Sequence, residues 1–260
     1  MAKMLGFKQF LLESTRATFS MRRTGLVPFA RENKETFDTI KSFKPNKTLL
    51  WSDMDDTAVH YPDPKKVARV HVKDETGERI SGKGLTPTEF NSHKLEKGHS
   101  YDFSEFLDSK VFEQSAHPIR ETISTMNHVL DNGGHAHIVT ARSDMKDHPI
   151  LLGALKQMGL NVDHPNFHLH RAGNFGRGPT HENKAKMLDK VLTPNEKGKY
   201  PYGDMSGVKN VVGIDDHRPN VDENMHSNLS NTSTEGRRFV GIHFNPKNKE
   251  AKIAYDSGTN

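Results

Sequence analysis

The sequence contains no cysteine. Disulfides and thiolate metal sites are therefore excluded, and any metal must be held by oxygen or imidazole ligands. Redox arguments leave the compartment open, although an intracellular enzyme fits. There is a single Trp, and no apolar run approaches the roughly 20 residues needed to span a bilayer, so no membrane partner is expected. Acids are scarce at the start. Across the first 31 residues only Glu13 stands against Lys3, Lys8, Arg16, Arg22, Arg23 and Arg31. An acid-poor start with Arg and Ser has the composition of a transit peptide. The plainer reading is an amphipathic helix, carrying Leu5, Phe7, Phe10 and Leu11, that docks on the body or on a partner protein. Residues 1–46 are expected to form this docking or targeting segment.

At 260 residues there is room for one large domain or two small ones. The hydrophobic fraction is 33% and the mean hydropathy −0.77, which implies a modest core with long polar loops. A net charge of +4 and a pI near 9.1 favour anionic substrates. They fall short of the dense basic stripe of a dedicated nucleic-acid binder. The 16 histidines are scattered without HExxH spacing and are expected mostly at the surface or in loops.

Lys47–Ser52 is a short apolar run that ends abruptly in acids, the signature of a buried strand entering a polar loop. Val67–Val72 and Glu78–Ile80 flank Asp74-Glu-Thr-Gly77 and predict a β-hairpin. Thr86-Pro87-Thr88-Glu89 has the capping-box pattern of a helix start. From Pro118 onward helix and strand alternate. Ile119, Ile123, Met126 and Leu130 recur at helical spacing before Gly133-Gly134, Ala136–Thr140 is a strand, and Pro149–Met158 is a helix closed by Gly159. Phe167–His170 is a weak strand, Thr180–Leu192 a helix capped by Thr180, and Val211–Ile214 a buried strand that again runs into acids. Arg238–Phe244 is expected to close the sheet, and 246–260 to be a frayed polar tail. The expected fold class is α/β, a three-layer α/β/α parallel sheet of Rossmannoid type, with the body spanning 47–245.

In such sheets ligands bind at the carboxyl ends of the strands. The site candidates are thus Asp53, Asp55, Asp56 and Thr57, then Thr140 and Arg142, then Asp215 and Asp216. Like charges crowded at strand mouths repel unless a cation sits among them. An all-oxygen donor set points to Mg²⁺ rather than zinc. A single acidic cluster reads more simply as a helix-capping turn; two clusters, each directly after an apolar strand, do not.

Asp53-Met-Asp55-Asp-Thr57 resembles the first motif of the haloacid dehalogenase (HAD) superfamily, an apolar strand followed by DxDx(T/V). Ile138-Val139-Thr140, continuing as Ala141-Arg142, resembles the second. Lys184, at the start of a helix, resembles the third, and Val211–Ile214 with Asp215-Asp216 the fourth in its DD form. The order is the family's. Leu85–Phe90 and Tyr101–Phe106 are similar to segments of a phage-encoded HAD-like subgroup, and the motif set is similar to the phosphatase half of polynucleotide kinase-phosphatases.

The resemblance implies a HAD-type sheet with a small cap inserted at 61–110, and roles for its residues. Asp53 is the expected nucleophile, forming an aspartyl-phosphate. Asp55 is the expected general acid and then base, with a raised pKa supplied by its acidic neighbours. Asp53, Asp55 (through its backbone carbonyl) and Asp215 are expected to hold Mg²⁺, with Asp216 as a ligand or behind one. Thr140 would bind phosphoryl oxygens and Lys184 offset transition-state charge. Thr57, Arg142 and Lys186 are the expected substrate contacts. Lys186 is also the alternative to Lys184 for the third motif, while Arg142 is open between a phosphate and a surface acid. His217 and Arg218 are expected in a solvated loop.

The insert's Lys65, Lys66, Arg69, Lys73, Arg79, Lys83, Lys94 and Lys97 either guide a polyanion or form an ordinary solvated face, since acids are interleaved with them. No aromatic platform of the single-strand-binding kind stands out. Asn174–Gly178 lacks the P-loop lysine and reads as a loop. The expected function is a Mg²⁺-dependent phosphomonoester hydrolase acting on a phosphorylated small molecule, a nucleotide or a nucleic-acid end. The alternative is a non-enzymatic viral structural or packaged protein on a HAD scaffold. The expected location is cytoplasmic, or the host cytoplasm or virion for a viral chain.

Overall fold

The computed structural model describes residues 42–258 except 64, 81, 83, 146, 177 and 249, together with Thr36 and Thr39. The docking reading of the N-terminal segment falls almost entirely outside the described residues.

Six strands form the central sheet in the order β10-β9-β8-β1-β6-β7. These are β1 (Thr48–Ser52), β6 (His135–Thr140), β7 (Phe167–Arg171), β8 (Asn210–Asp215), β9 (Arg238–Asn245) and β10 (Glu250–Asp256). All neighbours pair in parallel except β9 with β10. β1 and β6 are buried along their whole length. A strand covered on both faces favours apolar residues at successive positions, which is why β1 and the second half of β6 read as continuous runs rather than alternations.

Alternate residues feed two separate cores. Leu50, Ile138, Ile214 and Ile242 pack on one face with α3 (Arg120–Asp131) and α4 (His148–Gln157). Leu49, Trp51, Val139 and Val211 pack on the other with α5 (Thr180–Leu192). The protein is thus a mixed α/β fold, a mainly parallel sheet flanked by helices in the Rossmannoid manner. Helix α3 buries Ile123, Met126, Val129 and Leu130, each worth about 1.5–3 kcal/mol of burial. It ends where Gly133 takes φ +80° and the amide of Gly134 donates to the Val129 carbonyl at 2.9 Å. A side chain at Gly134 would lie 2.1 Å from the Pro45 carbonyl oxygen, so only glycine lets the chain turn into β6. Gly213 is constrained in the same way, because a Cβ there would meet the Trp51 ring at 2.4 Å.

The insert is pinched at its base. β2 (Val59–His60) pairs antiparallel with β5 (His117–Pro118), so the chain leaves and re-enters the body at adjacent points. Between them, α1 (Pro87–Ser92) begins with the predicted capping box, Thr86 and Glu89 each bonding the other's backbone amide. The Asp74–Gly77 turn also forms, with the Ile80 amide donating to the Val72 carbonyl at 2.9 Å. The main partner of β3 (His71–Lys73) is nevertheless β4 (Ser100–Asp102), a longer-range pairing than the predicted hairpin. Helix α2 (Ser109–Ser115) leads back to the body.

Several expectations need correction. Residues 250–256 are a strand, not a frayed tail, and β10 rather than 238–244 closes the sheet. Its Ala251 is buried and accepts the Thr36 hydroxyl at its carbonyl (3.0 Å), while Lys252 is exposed as an edge strand requires. Thr180 is not the N-cap of α5; Pro179 holds that position without a side-chain bond. His135, His137 and His170 are not surface residues but sit buried in β6 and β7. They survive there as neutral imidazoles, with His170 Nε2 and His137 Nδ1 paired at 3.1 Å. No helix among the described residues is long and apolar enough to cross a membrane.

Candidate active site

The carboxyl ends of β1, β6 and β8 and the first turns of α5 converge on one cleft of about 750 Å³. At the end of β1 the Asp53 amide donates to the Ile214 carbonyl at 2.9 Å, holding Asp53 in line with the sheet. The chain then folds over itself: the amides of Ala58 and Val59 both donate to the Met54 carbonyl, and Asp56 adopts φ +56°. This turn places Asp53, Asp55 and Asp56 on the cleft wall.

Asp215, fully buried at the end of β8, accepts Asn220 Nδ2 at 3.0 and 3.1 Å and the His217 amide at 2.9 Å. Lys184, 1% exposed, donates from Nζ to Asp53 Oδ1 at 2.7 Å and Asp215 Oδ2 at 2.5 Å. Burial alone would lower its pKa. The two carboxylates outweigh burial and push its pKa up. Of the two lysines, Lys184 is the one whose ammonium joins the acidic group. Lys186 is exposed on the other side of the helix and does not line the cleft, which overturns its assignment as a substrate contact.

Oxygens of Asp53, Asp215 and Asp216 lie within 4.8 Å of one another. Burial, together with the neighbouring carboxylates, raises the proton affinity of Asp53 and Asp216. Asp56 is likewise pushed up to about 6 by burial and by Asp55. Among the described residues, five carboxylates line the cleft against Lys184 and Arg142 as full cations. Such a set either keeps protons or takes a cation, and three hard oxygen donors without imidazole or thiolate fit a small divalent ion.

Asp55 departs from expectation. Its carboxylate accepts Arg142 Nε at 2.9 Å and Nη2 at 2.7 Å, and also the Tyr61 hydroxyl. Burial pushes its pKa up, but the Arg142 guanidinium outweighs burial and holds it below the usual carboxylate value. The predicted raised pKa is thus reversed, and its side chain is not in the cation-binding group. Arg142 is neither a free phosphate contact nor the partner of a surface acid. It is 6% exposed, bonds Asp55, and donates from Nη1 to the Phe106 carbonyl of the insert at 3.0 Å. Thr57 is fully buried below the cleft and does not line it. Its hydroxyl accepts the Asp216 amide at 3.0 Å, so it positions an acid rather than touching substrate. Thr140 does line the cleft, 1% exposed, its hydroxyl accepting the Arg142 amide at 3.2 Å. His217 and Arg218 are exposed, as expected, although His217 reaches the cleft rim.

Sequence reasoning missed Tyr61 and Asn220, which hold Asp55 and Asp215 by side-chain bonds that no local pattern announces. It also missed an aromatic platform. Phe90 of α1 meets Tyr101 of β4 and Phe103 just after it edge to face at ring separations of 4.8 and 5.4 Å, and Tyr101 and Phe103 lie tilted at 6.0 Å, all on the cleft wall. The insert's described lysines and arginines do not line the cleft; Lys73 and Arg79 are paired with Asp102. No family model, curated protein or solved structure matches this chain.

Proposed function

We propose that this chain is a Mg²⁺-dependent phosphomonoester hydrolase of the HAD type, with Asp53 as nucleophile. The observation that carries this reading is Asp53 at the mouth of β1, bridged by Lys184 to Asp215 and grouped with Asp216, all on the wall of a cleft large enough for substrate. Asp53, Asp215 and Asp216 would hold the magnesium ion, which when bound screens the negative cleft and draws electron density from the phosphoryl group. An anionic ester otherwise has little reason to enter a cleft where carboxylates outnumber cations.

The chain's own residues supply the rest. Asp53 attacks phosphorus as the bond to the leaving oxygen breaks, and Lys184 steadies the charge that spreads over the phosphoryl oxygens. The Thr140 hydroxyl at the tip of β6, which lines the cleft, donates to one of those oxygens in this reading. Asp55 rests ionised between Arg142 and Tyr61. A phosphate dianion arriving beside it raises its proton affinity, so it takes up a proton that it hands to the leaving oxygen. Once the leaving group has gone, it draws a proton from water, which attacks the phosphoryl-aspartate and frees Asp53.

The test is phosphate release from p-nitrophenyl phosphate with and without Mg²⁺. Wild-type protein is expected to be active only with the metal, and Asp53→Asn to lose at least about 10³-fold in kcat, the scale of removing a covalent nucleophile. An unchanged rate in Asp53→Asn contradicts the assignment.

A further inference from the structure

We infer that the insert selects phosphomonoesters whose leaving group carries a planar ring, nucleoside monophosphates being the biological class of that chemistry, an inference that rests on the phosphatase reading above. Phe90, Tyr101 and Phe103 form the wall of the cleft contributed by the insert. Phe103 is 42% exposed and Leu95, on the same wall, 39%. Large apolar side chains left facing water inside a cleft mark a surface that a ligand covers. A ring system lying against them recovers stacking as well as burial.

The wall is built to stay in place. The capping box fixes α1 and with it Phe90. Tyr101 donates its hydroxyl to the His93 carbonyl at 3.2 Å and pairs with His93 Nδ1 at 2.9 Å, while β3–β4 pairing holds its backbone. A preformed surface loses little entropy when a ligand settles on it.

The cleft also holds an unspent acceptor. Asn183, 6% exposed, lines the cleft, and its Oδ1 has no hydrogen-bond partner. The size agrees, since about 750 Å³ lies in the range of sites for whole small molecules and far exceeds what a bare phosphate requires. Charge limits the ligand in the other direction. Arg142 and Lys184 are the cleft's full cations among the described residues, and both are already committed to carboxylates. Neither is free to hold a second or third phosphate, which favours a monophosphate over a polyphosphate or a polynucleotide strand.

The experiment compares kcat/KM of the full chain with Mg²⁺ on adenosine 5′-monophosphate and ribose 5-phosphate, which differ only by the base. A preference of at least about tenfold for the nucleotide is expected, the value of one base–aromatic stack. Phe103→Ala should remove most of it, raising KM for the nucleotide by far more than for ribose 5-phosphate. As a check that needs no variant, adenosine should inhibit competitively while ribose does not. Hydrolysis of both esters at equal efficiency, or an equal loss on both in Phe103→Ala, overturns the inference while leaving the phosphatase reading intact. Failure to hydrolyse any ester sinks that reading instead, and calorimetric binding of adenosine 5′-monophosphate that weakens in Phe103→Ala would then still support the wall as a base site.

Discussion

Arg142 joins parts of the molecule that are far apart in sequence. Its guanidinium grips Asp55 with two bonds, bonds the Phe106 carbonyl, and lies 4.7 Å from the Phe106 ring centroid. It therefore sets both the charge state of the candidate acid–base and the seat of the insert. Replacing it by alanine leaves a buried carboxylate unpaired, a change that costs about 3–5 kcal/mol in comparable pairs. The sign of its pH effect follows from the cause. With the guanidinium gone, burial dominates and Asp55 holds its proton more tightly, so the limb of the kcat/KM profile that reports Asp55 should move to higher pH in Arg142→Ala. A profile that stays in place would show that Asp55 does not titrate in the rate-limiting chemistry. Among individual residues, those legible in the sequence were the acids and Lys184, because each sits at a fixed offset from an apolar strand or a helix start. Asn220, Tyr61 and the true partner of Arg142 were not. Their roles depend on side chains that meet only after the sheet has assembled.

Strands buried on both faces were the easiest elements to find, since β1, β6 and β8 each carry an apolar run that ends at the site. β10 was the hardest. It is an edge strand with Lys252 facing solvent, and a bulge between Ile253 and Tyr255 breaks its alternation. The tail reading failed because composition reports burial, whereas an edge strand is held mainly by its backbone ladder. A chain ending at Asn245 should accordingly lose more than about 2 kcal/mol of stability in urea denaturation, through the burial of Ala251 and the packing of Ile253 and Tyr255. It should also self-associate, because β9 then presents an unpaired edge. Monomeric behaviour at undiminished stability would mean that β10 is dispensable. The hairpin in the insert taught a related lesson. The Asp74–Gly77 turn was readable from local residues, but β3 pairs mainly with β4, and no local signal specifies so distant a strand.

At the scale of the whole molecule, two charge problems shape behaviour. One is the histidine cluster of β6 and β7. Burial lowers the pKa of His137 well below the ordinary value, assisted by its histidine neighbours, and lowers that of His170 to about 3. These groups are neutral when folded and free to protonate when unfolded, so acid favours the unfolded chain. For His170 the loss begins near the ordinary histidine value of about 6.5 and runs down to its folded value, at about 1.4 kcal/mol per pH unit. Thermal melts should therefore fall as pH drops from neutral, and His170→Gln should flatten that slope; an equally steep slope would remove the cluster from the account. The other problem is the cleft, where carboxylates outnumber full cations among the described residues, an imbalance that a bound divalent ion would reduce. The most direct test is to quench the protein in acid during turnover of a phosphorus-labelled aryl phosphate with Mg²⁺ and to map the label by peptide mass spectrometry. The account predicts label on Asp53, absent without Mg²⁺ and absent in Asp53→Asn. Turnover with the label on another residue, or undiminished turnover in Asp53→Asn, would contradict it.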